Sequence, residues 1–159
     1  MSNMKYTFYI PTPILTIINF GIMIPIGILF NRLILIIWDI IIIVIGAALV
    51  VVFVYTLIKT HRIKQMHMKP DEVDKIITED IYSIIRHPNY LGLICMNFAM
   101  LCFFRTLLLI PIIAIFITLW YLNAKHEEMI LISKFGEIYS NYKKVTGMFL
   151  PRLTKAKEN

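Results

Sequence analysis

The sequence predicts an all-α integral membrane protein, with about four transmembrane helices in two hairpins and a C-terminal amphipathic helix. Three observations predict it. Of the 159 residues, 58% are apolar, above the roughly 45–50% of a soluble domain, and the mean hydropathy is +0.74. The apolar residues come in runs, each near the ~20 residues that a helix needs to cross a bilayer core. All of the 16 Lys and Arg residues except Arg32 and Arg105 lie at the N-terminus, between residues 59 and 88, or after residue 123.

The first run is roughly 12–30 (TPILTIINFGIMIPIGILF) and the second roughly 33–58 (LILIIWDIIIIVIGAALVVVFVYTLI). The break between them, Asn31 and Arg32, is short enough to be a hairpin tip. The first run lacks a small-x-small cleavage site and is followed at once by a second span, so it is not expected to be a signal peptide. The third run is roughly 89–104 (NYLGLICMNFAMLCFF) and short. The fourth is roughly 106–123 (TLLLIPIIAIFITLWYLN), beyond a second tip at Arg105 and Thr106. With both tips on one side, the basic segments share the other, which the positive-inside rule makes cytoplasmic, as are both termini. The juxtamembrane basic residues point to anionic lipid head groups, not to nucleic acid.

Two parts differ in character. Residues 1–58 are a transmembrane hairpin with little polar content; Asp39 is expected as a paired or snorkelling acid near the outer interface. Residues 59–159 comprise a basic loop, a second hairpin and a tail, and hold nearly all the polar chemistry. In the tail, Glu128, Ile132, Phe135, Tyr139 and Tyr142 recur at helical spacing along one face. Gly136 weakens that helix slightly, and Gly147 and Pro151 mark its end. Glu128 stands out as an acid on an apolar stripe. Cys95 and Cys102 are about 10 Å apart along a helix, too far for a disulfide. His61 and His67 have no zinc spacing, and no metal is expected.

The second hairpin brings two polar groups together. Residues 93–126 go out and back in legs of about 25 Å, close to one crossing. They return Lys125, His126, Glu127 and Glu128 to the side where Arg86, His87 and Asn89 were left. Pro88 suits the first turn of a helix, and His87 before it is pushed out of helical geometry. The third span thus opens its N-terminal amides beside Arg86, a place to hold a carboxylate or phosphate.

The stretch TEDIYSIIRHPNYLG (78–92), a hydrophobic hairpin, and EEMILISKFGEIYSNYKKV (127–145) together resemble the C-terminal half of the isoprenylcysteine carboxyl methyltransferase family, whose pattern related phospholipid methyltransferases share. The matching positions are Thr78, Tyr82, Arg86, His87, Pro88, Tyr90, Gly92, Glu127, Glu128, Phe135, Gly136, Tyr139 and Tyr142. The closing YKKVTGMFLPRL (142–153) is similar to the tail of the prenylcysteine enzymes. Asp80 departs from the pattern, standing where the family usually has glycine.

The resemblance implies a membrane-embedded methyltransferase that uses S-adenosylmethionine and takes a lipophilic substrate from the bilayer. Carboxyl O-methylation of an isoprenylcysteine-like group is the default reaction. It further implies cofactor contacts from Tyr82, His87, Pro88, Asn89, Tyr90, Gly92, Glu127 and Glu128. Arg86 and Glu128 are the candidates for catalytic roles, Arg86 by orienting the incoming carboxylate. Adjacent helical residues project about 100° apart, so Glu127 and Glu128 have different tasks. Three other readings stand beside this one: methylation of a phospholipid or other lipid at nitrogen or oxygen, a nicotinamide-dependent sterol-type reductase, and a non-enzymatic membrane scaffold. The short chain and the Glu127–Glu128 pair disfavour the reductase. The convergence of Arg86, His87 and the two glutamates disfavours the scaffold.

Overall fold

A computed structural model describes residues 9–32, 36–62 and 72–152. His67 and Pro70 of the basic loop, Leu33 at the start of the second run and Leu153 at the end of the tail motif lie outside them. Among the described residues five α-helices follow in order: α1 (Thr12–Leu29), α2 (Ile37–His61), α3 (Pro88–Phe104), α4 (Leu109–Phe135) and α5 (Glu137–Val145), with a 3-10 turn at Asp80–Ser83 before α3. Among the described residues there is one isolated bridge, Ile85 to Gly147, and no sheet. Three helices, α1, α2 and α4, are long and apolar enough to cross a membrane; α3 is a shorter apolar helix.

Each boundary has a local cause. Pro occupies the first turn of both α1 and α3, where its missing N–H is no loss. The fourth run does not end near Asn123 as the hydropathy suggested. Neither glycine nor proline interrupts the chain between Asn123 and Phe135, and α4 continues through both. Gly136 then takes φ +55° and separates α4 from α5. The stripe expected on one tail helix is therefore divided: Glu128, Ile132 and Phe135 on α4, Tyr139 and Tyr142 on α5.

The packing differs from two self-contained hairpins. Among the described residues α2 packs mainly along α3, while α1 packs on α3 and α4. Small residues set the α2–α3 contact. A Cβ on Gly92 would lie 2.2 Å from Thr56 Oγ1, and one on Gly46 would lie 2.9 Å from the Cys102 Cβ. The partners are equally spaced on the two helices and run in opposite order, so α2 and α3 are antiparallel and in close approach. Gly27 of α1 meets the Phe104 ring in the same way. Leu15, Tyr90, Leu93, Phe116, Trp120 and Ala124 form one buried cluster, and Met23, Met100, Leu109 and Ile113 a second. Both are built from α1, α3 and α4. The outer surfaces of α1 and α2 remain strongly apolar, with Ile17 and Ile37 more than 70% exposed, as lipid contact requires.

At the end where α3 stops, Asp39 is buried and paired with Arg32 at 2.5 Å and Arg105 at 3.6 Å. Its other oxygen accepts the Ile36 N–H at 2.7 Å, which caps α2. The acid expected near an interface is thus neutralised by both hairpin-tip arginines. Cys95 and Cys102 are both free.

The Gly92 contact makes a direct prediction. Gly92→Ala forces a methyl against Thr56, and overpacking of this kind costs about 1–3 kcal/mol. The thermal midpoint of the detergent-solubilised protein should fall. The double substitution with Thr56→Ala should recover most of the loss.

Candidate functional site

The other end of the bundle holds the polar residues. Arg86 and His87 lie between the 3-10 turn and α3, and a short strap after α5 pins them. The Arg86 N–H donates to the Gly147 carbonyl at 2.8 Å, and the His87 N–H to the Met148 carbonyl at 3.0 Å. Gly147 is required here, because a Cβ would fall 1.7 Å from the Leu150 carbonyl oxygen. Phe149 meets the His87 ring edge-on.

Arg86 is fully engaged. Its Nε donates to Glu128 Oε1 at 2.8 Å, and its Nη2 lies at the same distance from that oxygen. Its Nη1 donates to the carbonyls of Lys143 and Thr146, which are left open at the end of α5. Glu128 also pairs with Lys143 Nζ at 2.7 Å and is 1% exposed. One guanidinium thus ties the start of α3 to α4 and α5. Removing one member of such a buried pair costs about 3–5 kcal/mol.

Glu127, one residue earlier, faces elsewhere. It is 20% exposed and lies 3.5 Å from His87 Nδ1 through Oε2. Its Oε1 accepts the Tyr90 hydroxyl. Tyr90 O lies 2.9 Å from the Thr12 hydroxyl, and with its own proton on Glu127 it must accept from Thr12. Thr12 of α1 is thereby joined to the Glu127 carboxylate through one phenol. Ile10 is held on α4 by both polar atoms of the Asn123 side chain, and Tyr9 stacks on His126.

These groups form one wall of a cavity of about 820 Å³, within the range of small-molecule and cofactor sites. Tyr82, Arg86, His87, Pro88, Asn89, Tyr90 and Glu127 all line it, as do Tyr139 and Tyr142. Glu128 and Gly92 do not: Glu128 lies behind Arg86, and Gly92 is the contact between α3 and α2. Apolar residues of α1 and α2, Ile17, Phe20, Phe53 and Leu57, line it as well. Residues 73–77 border the same space through Val73, Lys75, Ile76 and Ile77. Sequence reasoning assigned no role to the α1 wall, to Lys75 or to the carbonyls of the strap. Carbonyl acceptors leave no side-chain signature, and an apolar wall looks like any other lipid-facing surface.

Burial and neighbouring acids shift the titrations here. Burial opposes charge on the His87 imidazole, but the carboxylates of Glu127 and Glu128 outweigh it and raise its pKa. Burial, reinforced by Glu127, pushes the Tyr82 phenol up to about 12. Burial likewise raises Tyr139 and Tyr142. These phenols are neutral donors at physiological pH. Among the described residues no cluster of potential metal ligands occurs.

Asp80 explains how the motif survives its departure. It adopts φ +54°, a left-handed conformation that glycine takes freely and that Asp tolerates better than most residues. The turn before Tyr82 thus keeps a glycine-like backbone, and the Asp80 carboxylate accepts from Lys59 at 2.8 and 3.0 Å.

Two predictions follow from these groups. Asp80→Ala keeps the left-handed strain of about 1 kcal/mol and loses the Lys59 contact, so its melting temperature should fall below that of Asp80→Gly. His87 has a raised pKa in the folded protein, so its charged contacts stabilise fully below its unfolded value of about 6.5. That contribution is lost as pH rises through the raised folded value. Melting of wild type against His87→Gln, from about pH 6 to about pH 9, should show a difference that shrinks as pH rises.

Comparison with known proteins bears on what this cavity is for. The model of the isoprenylcysteine carboxyl methyltransferase family matches residues 37–133, from the start of α2 through the first motif half and Glu127–Glu128 into the last turns of α4. Comparisons with curated proteins and with solved structures gave no match. The matched segment is well over half of the 159 residues, and the chain belongs to the isoprenylcysteine carboxyl methyltransferase family, as an S-adenosylmethionine-dependent membrane enzyme that methylates the carboxyl group of an isoprenylcysteine-like lipophilic substrate.

Proposed function

We propose that the cavity is the active site, with the cofactor on the wall of His87, Tyr90 and Glu127 and the lipid on the wall of α1 and α2. The observation that carries this reading is one cavity lined both by polar and aromatic groups of α3, α4 and α5 and by apolar residues of α1 and α2. The residues present fit S-adenosylmethionine. Glu127 is a partly open carboxylate for its ammonium or ribose hydroxyls. His87 Nε2 is buried and without a hydrogen bond, though 3.5 Å from Glu128 Oε1. The Tyr82, Tyr90, Tyr139 and Tyr142 rings offer π-faces and edges for a base and for a sulfonium cation. Pro88 and Asn89 begin α3, whose free amides suit the amino-acid carboxylate.

When bound, the cofactor supplies an electrophilic methyl group on a sulfonium. The acceptor carboxylate is already an anion, so no residue of this chain has to remove a proton. The residues bind, align and exclude water, which supplies most of the acceleration in such a transfer. In this reading Arg86 and Glu128 are positioning residues: their charges satisfy each other, and together they hold His87 and Glu127 at the cavity wall. Gly92 acts by packing, with no cofactor contact.

The same reading makes α3 a fourth pass and places the basic face, with both termini and the cofactor, in the cytoplasm beside anionic lipid head groups. Residues 59–159 supply the cofactor half of the site, and residues 1–58 supply the lipid-facing wall. The acceptor enters sideways between α1 and α2, which among the described residues lean on α3 and α4 instead of on each other.

Calorimetric titration with S-adenosylhomocysteine, with a reduced nicotinamide nucleotide as control, tests the assignment. Wild type should bind only the former. Glu127→Gln should weaken binding by about tenfold or more, with a smaller loss of melting temperature than Glu128→Gln. Glu128→Gln should instead lower the melting temperature by disrupting a buried pair. Equal binding by wild type and Glu127→Gln would remove Glu127 from the cofactor.

A further inference from the structure

The cavity has to hold one anion that the cofactor wall does not provide for, the carboxylate of the acceptor. Four residues that can carry positive charge line the space: His61, Lys75, Arg86 and His87. Arg86 is saturated by Glu128 and by the carbonyls of Lys143 and Thr146. His87 stands between Glu127 and Glu128, 3.5 Å from each. His61 has interactions of its own. Lys75 differs from all three. It is exposed, and no hydrogen bond or ion pair engages it among the described residues. Its acidic neighbours Glu72, Asp74 and Glu79 do not line the cavity.

Lys75 also shares its cavity with apolar residues of α2. Its segment, Val73 to Ile77, closes the cavity together with Leu57 and His61 from the end of α2. The Lys59–Asp80 ion pair fastens the following turn to that same end. The apolar residues that would hold a lipid tail and an ammonium unpaired among the described residues thus border one cavity.

We propose that Lys75 binds the carboxylate of the methyl acceptor and makes the site selective for acidic over neutral lipid acceptors. A flexible ammonium suits this role: it is a point charge that follows a carboxylate on a mobile lipid without demanding bidentate geometry. The proposal rests on the carboxyl-methylation reading above.

The test uses the full chain in detergent or vesicles, with N-acetyl-S-farnesyl-cysteine as acceptor and its uncharged carboxamide as a competitive inhibitor. Lys75→Gln should raise the KM for the acid about tenfold, in keeping with loss of one charge-assisted contact. It should leave kcat within about twofold, and leave inhibition by the carboxamide and the affinity for S-adenosylhomocysteine unchanged. Lys75→Arg should restore most of the KM. An unchanged KM in Lys75→Gln overturns the assignment. So does weakened S-adenosylhomocysteine binding at unchanged KM, which places Lys75 on the cofactor's own carboxylate. Wild type that binds S-adenosylhomocysteine but leaves the prenylcysteine unmethylated sinks the carboxyl-methylation reading itself, and the role of Lys75 with it.

Discussion

The Arg86–Glu128 pair is the constraint on which the rest of the site depends. It joins three elements that are far apart in sequence: the turn before α3, the interior of α4 and the open end of α5. Two buried charges are costly to desolvate, and they persist because every nitrogen of the guanidinium has an acceptor. Once Arg86 is fixed, its neighbours have little freedom. The strap from Thr146 to Met148 takes the backbone of Arg86 and His87. Pro88 starts α3, and Tyr90, one turn along, reaches Glu127 and Thr12. The polar wall is the outward face of an inner ion pair.

This division explains why the motif needs two consecutive acids. They point in directions about 100° apart, and the structure puts one behind the wall and the other in front of it. Glu128 is spent on cohesion, while Glu127 keeps an open edge. Neutralising Glu128 internally also keeps its charge from competing for a cationic ligand. The site therefore presents one accessible carboxylate although two are adjacent in sequence.

The sequence made parts of this legible. The apolar runs located the helices because length and composition suffice to recognise a membrane-compatible helix. Pro88 located the start of α3 because its chemistry permits little else there. The end of α4 was not legible: hydropathy falls near Asn123, yet Asn123 and Glu128 are both buried by partners from other elements. Polarity was mistaken there for exposure. The motif residues were recognisable as a set, but which acid faces the cavity depends on how α4 is rotated against α3, and that phase is fixed by packing. Lys75 carried no signal at all among the other basic residues of its loop. Its distinction lies in what the surrounding cations already do.

The uninterrupted course of α4 has a consequence for which lipids can react. At 1.5 Å per residue the helix is about 40 Å long, longer than a hydrocarbon core of about 30 Å. Glu127 stands about 27 Å from its beginning, close to the thickness of that core. A rigid rod of this kind works as a gauge of elevation. With the active site proposed above, it would set the height above the bilayer centre at which a reactive group has to stand. A lipid that carries its carboxylate at that height would react without leaving the membrane, and one whose acceptor group rides higher, on a long headgroup, would be passed over.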